Sequence, residues 1–213
     1  MTKKHKLHWF EAEPSKISMN EKYELYFILS PELSTEKVDE QVNQISALLE
    51  SELTAINVNV DKEGIKKLSY PIKKYTTGFY VLIQFECESR PGSIANIEKK
   101  LNINDSLMRY ILVNQTDYYK SLDKQNLAKE PEFTTHRDLN KGRKNKKCIV
   151  KYLGVEAIDY KDAGFLNQFT SPYAKMFSTE RTGVSSKYQR KIKKAIKRAR
   201  HMALMPFTPK HFE

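Results

Sequence analysis

Phe79-Tyr80-Val81-Leu82-Ile83-Gln84-Phe85, residues 79–85, has the β-branched and aromatic composition of a strand. Successive side chains along a strand point to opposite faces. Phe79, Val81, Ile83 and Phe85 therefore share one face, and Tyr80 and Leu82 share the other. A strand with one wet face alternates apolar with polar residues. This one is apolar and aromatic on both faces, so the sheet it enters has to be covered twice.

The flanking segments supply that sheet. Tyr23–Leu29 is a second apolar strand, closed by Ser30-Pro31, with Tyr26 and Ile28 on the face opposite Leu25, Phe27 and Leu29. Ser34 is placed to cap a helix running to about Leu53, with Val38, Val42, Ile45, Leu48 and Leu49 as its buried stripe. Ile56, Val58 and Val60 alternate; Gly64 interrupts, and Leu68, Tyr70 and Ile72 resume. Lys73–Gly78 reads as a loop or hairpin turn. Pro91-Gly92-Ser93 opens a short helix carrying Ile94, Ile97 and Leu101, and Leu107–Val113 is the last strand. The order β-α-β-β-α-β is an α+β, ferredoxin-like arrangement: a four-stranded antiparallel sheet with two helices on one face.

The second face is left for bases stacked on its aromatics or for another polypeptide. A base-stacking sheet carries a basic-Gly-aromatic-small-aromatic series on this strand. Thr77-Gly78-Phe79-Tyr80-Val81 begins like it, but no basic residue precedes the glycine, Tyr80 fills the small position and Val81 the second aromatic one. Residues 1–120 carry 16 basic and 17 acidic side chains, the wrong balance for a primary phosphate binder. A protein partner is the better match.

Residues 121–213 differ sharply, with 21 basic and 9 acidic side chains; the chain as a whole has 213 residues and a net charge of +11. The asymmetry implies two modules, the second facing a polyanion. Residues 119–147 read as a flexible linker, with Glu130-Pro131-Glu132 and Gly142, ending in a basic arm of Arg143, Lys144, Lys146 and Lys147. As a coil the 27 residues from Ser121 to Lys147 span on the order of 30 Å, so the modules can touch. Residues 148–213 form a small, mainly helical basic module. Cys148–Tyr152 is a short extended piece, and Asp159–Asp162 offers caps for a short helix turning Ala163, Leu166 and Phe169 inward.

The main helix follows. From Lys187 to Arg200, eight of fourteen residues are basic and none is acidic. Tyr188, Ile192, Ala195, Ile196, Ala199 and Ala203, spaced by three and four, form one apolar stripe, and the cations cover the rest. Thr182-Gly183 gives a turn before it, Ser186 with Gln189 fits a capping box, and Pro206 marks the far end. A module this small closes a poor core alone, and the first has an uncovered apolar face. Each therefore completes the other, with Tyr26, Ile28, Tyr80 and Leu82 meeting Tyr188, Ile192, Ile196 and Ala199. The free side offers a polyanion, a nucleic acid before an anionic membrane, these candidate contacts, which are RNA contacts under the resemblance given next: Arg181, Lys187, Arg190, Lys194, Lys197, Arg198 and Arg200, joined by the basic arm and by Thr182 and Gly183, whose backbone N–H groups can meet a phosphate.

These residues carry a resemblance. Arg181-Thr182-Gly183, Ser186-Lys187-Tyr188-Gln189-Arg190, Ala195-Ile196-Lys197-Arg198-Ala199-Arg200 and Leu204-Met205-Pro206-Phe207-Thr208, with Ile158-Asp159-Tyr160-Lys161-Asp162 earlier, resemble the eighteenth bacterial small-subunit ribosomal protein. Residues 21–118, with Tyr23-Glu24, Leu68-Ser69-Tyr70-Pro71-Ile72-Lys73-Lys74, Gly78-Phe79-Tyr80 and Arg109-Tyr110-Ile111-Leu112, resemble the sixth. The resemblance implies a fused pair that binds the central domain of small-subunit ribosomal RNA, in the platform, among neighbouring ribosomal proteins in the cytoplasm. Ser178, Thr179 and Glu180 depart from the proline and further arginines usual before Arg-Thr-Gly. Some members of the eighteenth family bind zinc through cysteines, but only Cys148 is near, so no metal is expected.

Residues 1–20 read as an extension before the first domain. No cofactor, small-molecule substrate or catalytic residue is expected: the five histidines are scattered, and no glycine-rich phosphate loop follows a strand. No apolar run reaches membrane-spanning length, the N-terminus lacks a signal-peptide core, and two separated cysteines give no disulfide framework. The competing function is a free RNA-binding regulator of messenger RNA that uses the same basic helix.

Overall fold

The computed structural model describes residues 20–88, 91–115, 150 and 158–209. The extension ahead of residue 20, the linker and the Cys148–Tyr152 piece, apart from Val150, lie outside them. Strand β1 (Asn20–Leu29) is followed by α1 (Thr35–Leu53), β2 (Ile56–Ile72), β3 (Tyr75–Glu88), α2 (Pro91–Ile103) and β4 (Leu107–Asn114). The strands make one antiparallel sheet in the order β2-β3-β1-β4, the ferredoxin-like arrangement expected. Ser34 caps α1, its side chain accepting from the Lys37 N–H.

Both helices lie on one face. Leu25, Phe27 and Leu29 of β1 and Val81, Ile83 and Phe85 of β3 form one buried cluster with Val38, Val42, Ile45, Leu49 and Leu53 of α1 and Ile97 and Leu101 of α2. Cys87 is buried in the same layer, and burial first, then the Glu21 carboxylate, pushes its thiol up to about 11. Since the thiolate is the reactive form, Cys87 is expected to resist a thiol reagent at pH 7.5 in the folded chain and to react fully once urea unfolds it, as labelling followed by mass spectrometry will read.

Strand β2 departs from expectation in an instructive way. It is one 17-residue strand, not two pieces broken at Gly64. Lys62 pairs with Val81 and Gly64 with Tyr80, so Glu63 is one residue extra. A single-residue bulge shifts the side-chain period and exchanges faces. Val58 and Val60 therefore pack toward the helices, while Leu68, Tyr70 and Ile72 of the same parity enter the cluster on the other face. Gly64 sits at φ +86°, a left-handed conformation suited to glycine. The bulged Glu63 turns its carboxylate to accept from the Tyr26 hydroxyl and pairs with Lys66 at 3.0 Å.

Among the described residues the further elements are α3 (Ala163–Asn167), α4 (Thr179–Thr182) and α5 (Ser186–His201); Val150 is helical, where an extended piece was expected. Asp162 starts α3 by accepting from the Phe165 N–H at 2.9 Å. Phe165, Leu166 and Phe169 are buried and Ala163 is only half-buried: the helix is one turn long, so Phe169 is brought inward by the turns after it. No helix among the described residues is long and apolar enough to cross a membrane.

Candidate nucleic-acid interface and the surface behind it

Helix α5 has two unlike sides. Ile192, Ala195, Ile196 and Ala199 are each 3% exposed or less, whereas Lys187, Arg190, Lys191, Lys193, Lys194 and Lys197 are all exposed. The buried side joins Tyr26, Ile28, Leu68, Tyr70, Ile72, Tyr80 and Leu82 in one hydrophobic cluster, which also holds Val150, Tyr160, Leu166, Phe169 and Met205. Gly78 fits the same layer: a Cβ there would lie 2.5 Å from Ile28 Cγ2. The start of α5 corrects the expected capping box. Ser185 is the cap, Ser186 is already helical, and no side-chain cap bond forms. Gln189 instead donates from Nε2 to the Phe177 carbonyl at 2.9 Å, which ties the helix to the loop before it.

The far end of α5 arrives five residues before Pro206. Ala203, at φ 52°, turns the chain, with Ala203 N–H bonded to Arg200 O (3.1 Å) and Leu204 N–H to Ala199 O (2.9 Å). This pairing is a Schellman motif with alanine in place of the usual glycine. The last carbonyls of a helix have no partner within it, and here the sheet supplies them. Tyr70 donates to Arg200 O at 2.6 Å, Tyr80 to Met202 O at 2.8 Å, the Ser69 N–H of edge strand β2 to Ala203 O at 2.8 Å, and Arg109 to His201 O at 3.4 Å. His201 Nε2 lies 3.0 Å from the carbonyl of Tyr110 on the opposite edge strand and donates there. Burial raises the Tyr80 hydroxyl's pKa well above the ordinary range, so it stays a donor. Removing it orphans a buried carbonyl, which costs about 1–3 kcal/mol. Tyr80→Phe is therefore expected to lower the unfolding free energy by that amount, read as a lower urea midpoint with an unchanged slope.

A polar cluster sits on the same face of β1. Glu24, 1% exposed, accepts from Lys161 Nζ at 2.7 Å, from Gln115 Nε2 at 3.2 Å and from the Tyr160 hydroxyl. Asp159 lies 3.5 Å from the same ammonium. Burial, then Glu24, hold the Tyr160 hydroxyl far above its usual range. Burial works to lower the Lys161 pKa, but Glu24 and Asp159 outweigh it and the net shift is upward. Glu24 is thus a buried carboxylate satisfied on every side, mostly by residues some 136 positions further along the chain.

The family model described as Ribosomal protein S6 matches residues 22–114, and that described as Ribosomal protein S18 matches residues 154–205. The small ribosomal subunit protein bS6 of Fusobacterium nucleatum is 46% identical over 94 residues, covering 44% of this chain and 97% of its own. The bS18 protein of Flavobacterium johnsoniae is 44% identical over 75 residues, covering 35% of this chain and 76% of its own. A solved ribosomal protein S6 from Thermotoga maritima covers 50% of this chain and 98% of its own, at 23% identity and a TM-score of 0.46. The chain belongs to both families, S6 in its first half and S18 in its second. Both are structural, non-enzymatic families of the small ribosomal subunit, which works in the cytoplasm.

In the S18 half the expected site residues separate into groups. Lys187, Arg190, Lys194 and Lys197 are exposed on the free side of α5. Arg181 is also exposed, its guanidinium 3.8 Å from the Phe177 ring centroid. Arg198 is half-buried. Arg200 is occupied within the protein: its Nε donates to Pro206 O at 3.1 Å, Nη2 donates to Ala174 O, and Phe207 lies beside it. Lys161, not among the expected contacts, is engaged with Glu24. The Gly183 N–H, expected to face a phosphate, donates to Thr179 O at 2.7 Å, and Val184 N–H points to Thr182 Oγ1 at 3.4 Å. Arg143, Lys144, Lys146 and Lys147 lie outside the described residues. In the S6 half Tyr26, Ile28, Tyr80 and Leu82 share the cluster with Ile192, Ile196 and Ala199, and Tyr188 packs at its margin.

What sequence reasoning missed is the polar part of this surface. Glu24 stands in a strand that is apolar on both faces, and an acid there is the signal that a buried partner exists. Tyr70 and Arg109 had no such signal, because their partners are backbone carbonyls. Among the described residues, no three His, Cys, Asp or Glu side chains come together as a metal site would need.

Proposed function

We propose that this chain binds the central domain of small-subunit ribosomal RNA, in the platform, as a fused pair whose S6 half holds the S18 half in place. The boundaries that fit are an extension over 1–20, the S6 domain over 21–118, a linker over 119–147 and the S18 module over 148–213. One observation carries the reading: the apolar side of α5 is buried while six cations on its other side are exposed without an acid among them. Cations in that array displace counterions from folded RNA and give affinity that falls steeply with salt. Shape and a few positioned groups give specificity. The intramolecular contact is the means by which the S6 half, itself without a net positive charge, contributes: it fixes the direction in which the cations point. The tether adds an effective local concentration of roughly millimolar. Other ribosomal proteins complete the partner set, as membership of both families implies.

Sucrose-gradient sedimentation of lysate in moderate and high salt tests this. One copy of the chain per small subunit, released only as salt rises, is the expected outcome. A chain at the top of the gradient or on messenger RNA, absent from the small-subunit peak, favours the regulator instead.

A further inference from the structure

Beside the cationic face lies a cavity of about 480 Å³, within the range of roughly 300–1,000 Å³ that holds small ligands. Asn167 and Gln168 at the end of α3, Phe177, Arg181 of α4, Arg200 of α5 and Pro206 line it. Its lining includes two guanidinium groups and no acid. Arg181 and the Phe177 ring are stacked at 3.8 Å, a flat plate on one wall. The Asn167 and Gln168 amides make no side-chain hydrogen bond among the described residues, and each carries a donor and an acceptor. Phe169 and Phe177 are the aromatic residues of the lining. The polar and apolar features of this pocket match one ligand class. An unpaired base has two apolar π faces, a polar edge with donors and acceptors, and an attached anionic phosphate. Proteins read such bases by stacking them on aromatic rings or arginine planes and by hydrogen-bonding their edges, and amide side chains suit those edges.

We propose that this pocket receives a single unpaired RNA base, stacked against its aromatic and guanidinium planes and read at its edge by Asn167 and Gln168. The inference rests on the RNA-binding reading above and adds what the α5 lysines do not supply: a preference for a place in the RNA where one nucleotide leaves the helix. Paired RNA cannot enter, because its bases are held in the stack.

The test uses the full chain and two probes: a 20-base-pair RNA duplex, and the same duplex carrying one bulged adenosine or uridine. At fixed salt the bulged duplex is expected to bind about tenfold tighter, within the range reported for one stacked base. Asn167→Ala with Gln168→Ala, both lining the pocket, is expected to abolish that preference while leaving the affinity and salt slope for the unbulged duplex unchanged. Lys194→Ala is expected to weaken both probes equally. Equal binding of the two probes by the unaltered chain overturns the pocket and leaves salt-dependent RNA binding standing. Failure to bind either probe overturns both readings. An Asn167→Ala, Gln168→Ala chain that keeps the bulge preference yet enters small subunits poorly also overturns it, since the pocket then holds a protein side chain.

Discussion

Replacing Lys187, Arg190 and Lys194 together with alanine is expected to weaken binding to central-domain ribosomal RNA by about 500-fold at 0.1 M salt. The magnitude follows from counterion release. With a logarithmic slope near 0.9 per phosphate contact, each contact contributes about eightfold at that ionic strength, and three multiply. The slope of log affinity against log salt is expected to fall by about 2–3 at the same time. All three side chains are exposed and alanine favours helix, so far-ultraviolet circular dichroism and the thermal midpoint should stay as they were. Lys37 and Lys99, exposed on α1 and α2 on the other side of the sheet, serve as the comparison: their alanine variants should bind unchanged. A triple variant with full affinity and slope removes α5 from the interface. Filter binding across a salt series reads every one of these quantities.

Glu24→Ala is expected to cost about 3–5 kcal/mol of stability, the range for removing one member of a buried ion pair. That is a large part of the roughly 5–15 kcal/mol holding a domain together. The cost arises because the Tyr160 hydroxyl and the Gln115 amide stay buried with their acceptor gone, and the half-buried Lys161 ammonium keeps only Asp159, at 3.5 Å. Replacing the group by Glu24→Leu, Lys161→Met and Tyr160→Phe should recover much of the loss, because apolar groups of similar size carry no desolvation penalty and no buried hydroxyl is left without its acceptor. Urea denaturation of both variants separates this from simple loss of packing, which the triple replacement would deepen. The pH dependence has a definite sign. The Lys161 pKa is raised in the folded chain; its contribution is therefore complete below the unfolded lysine value near 10.4 and disappears as pH rises through the higher folded value. From neutrality to about pH 10 the lysine's share should be flat.

Much of the fold was legible because the alternation of apolar residues is a direct consequence of strand geometry. Both faces of residues 79–85 are apolar, and the structure covers both, one with α1 and α2 and the other with the cluster that includes α5. The spacing of Ile192, Ala195, Ile196 and Ala199 likewise selected the buried side of α5. Bulges and caps were less legible. Gly64 was visible as an interruption, but that one extra residue flips the faces of β2 follows only from pairing with β3. Ser185 and Ser186 are chemically equal cap candidates, and Gln189 went to the Phe177 carbonyl because the preceding loop folds beside it. Arg200 looks like its basic neighbours in sequence. Its place in the last turn, near Ala174 O and Pro206 O, turns it inward. Such contacts join residues distant along the chain through backbone carbonyls, which every residue carries and no sequence pattern marks.

The central claim is that one side of α5 is closed by the sheet while the other is closed by RNA, and lysine acetylation tests it most directly. The free chain and the chain within purified small subunits are treated with the same reagent, and modification is quantified at each lysine by mass spectrometry. Lys187, Lys194 and Lys197 are expected to react in the free chain and to be protected in the subunit, Lys37 and Lys99 to react in both, and Lys161, paired with Glu24, to react slowly in both. Equal reactivity of Lys187, Lys194 and Lys197 in the two states would contradict the account.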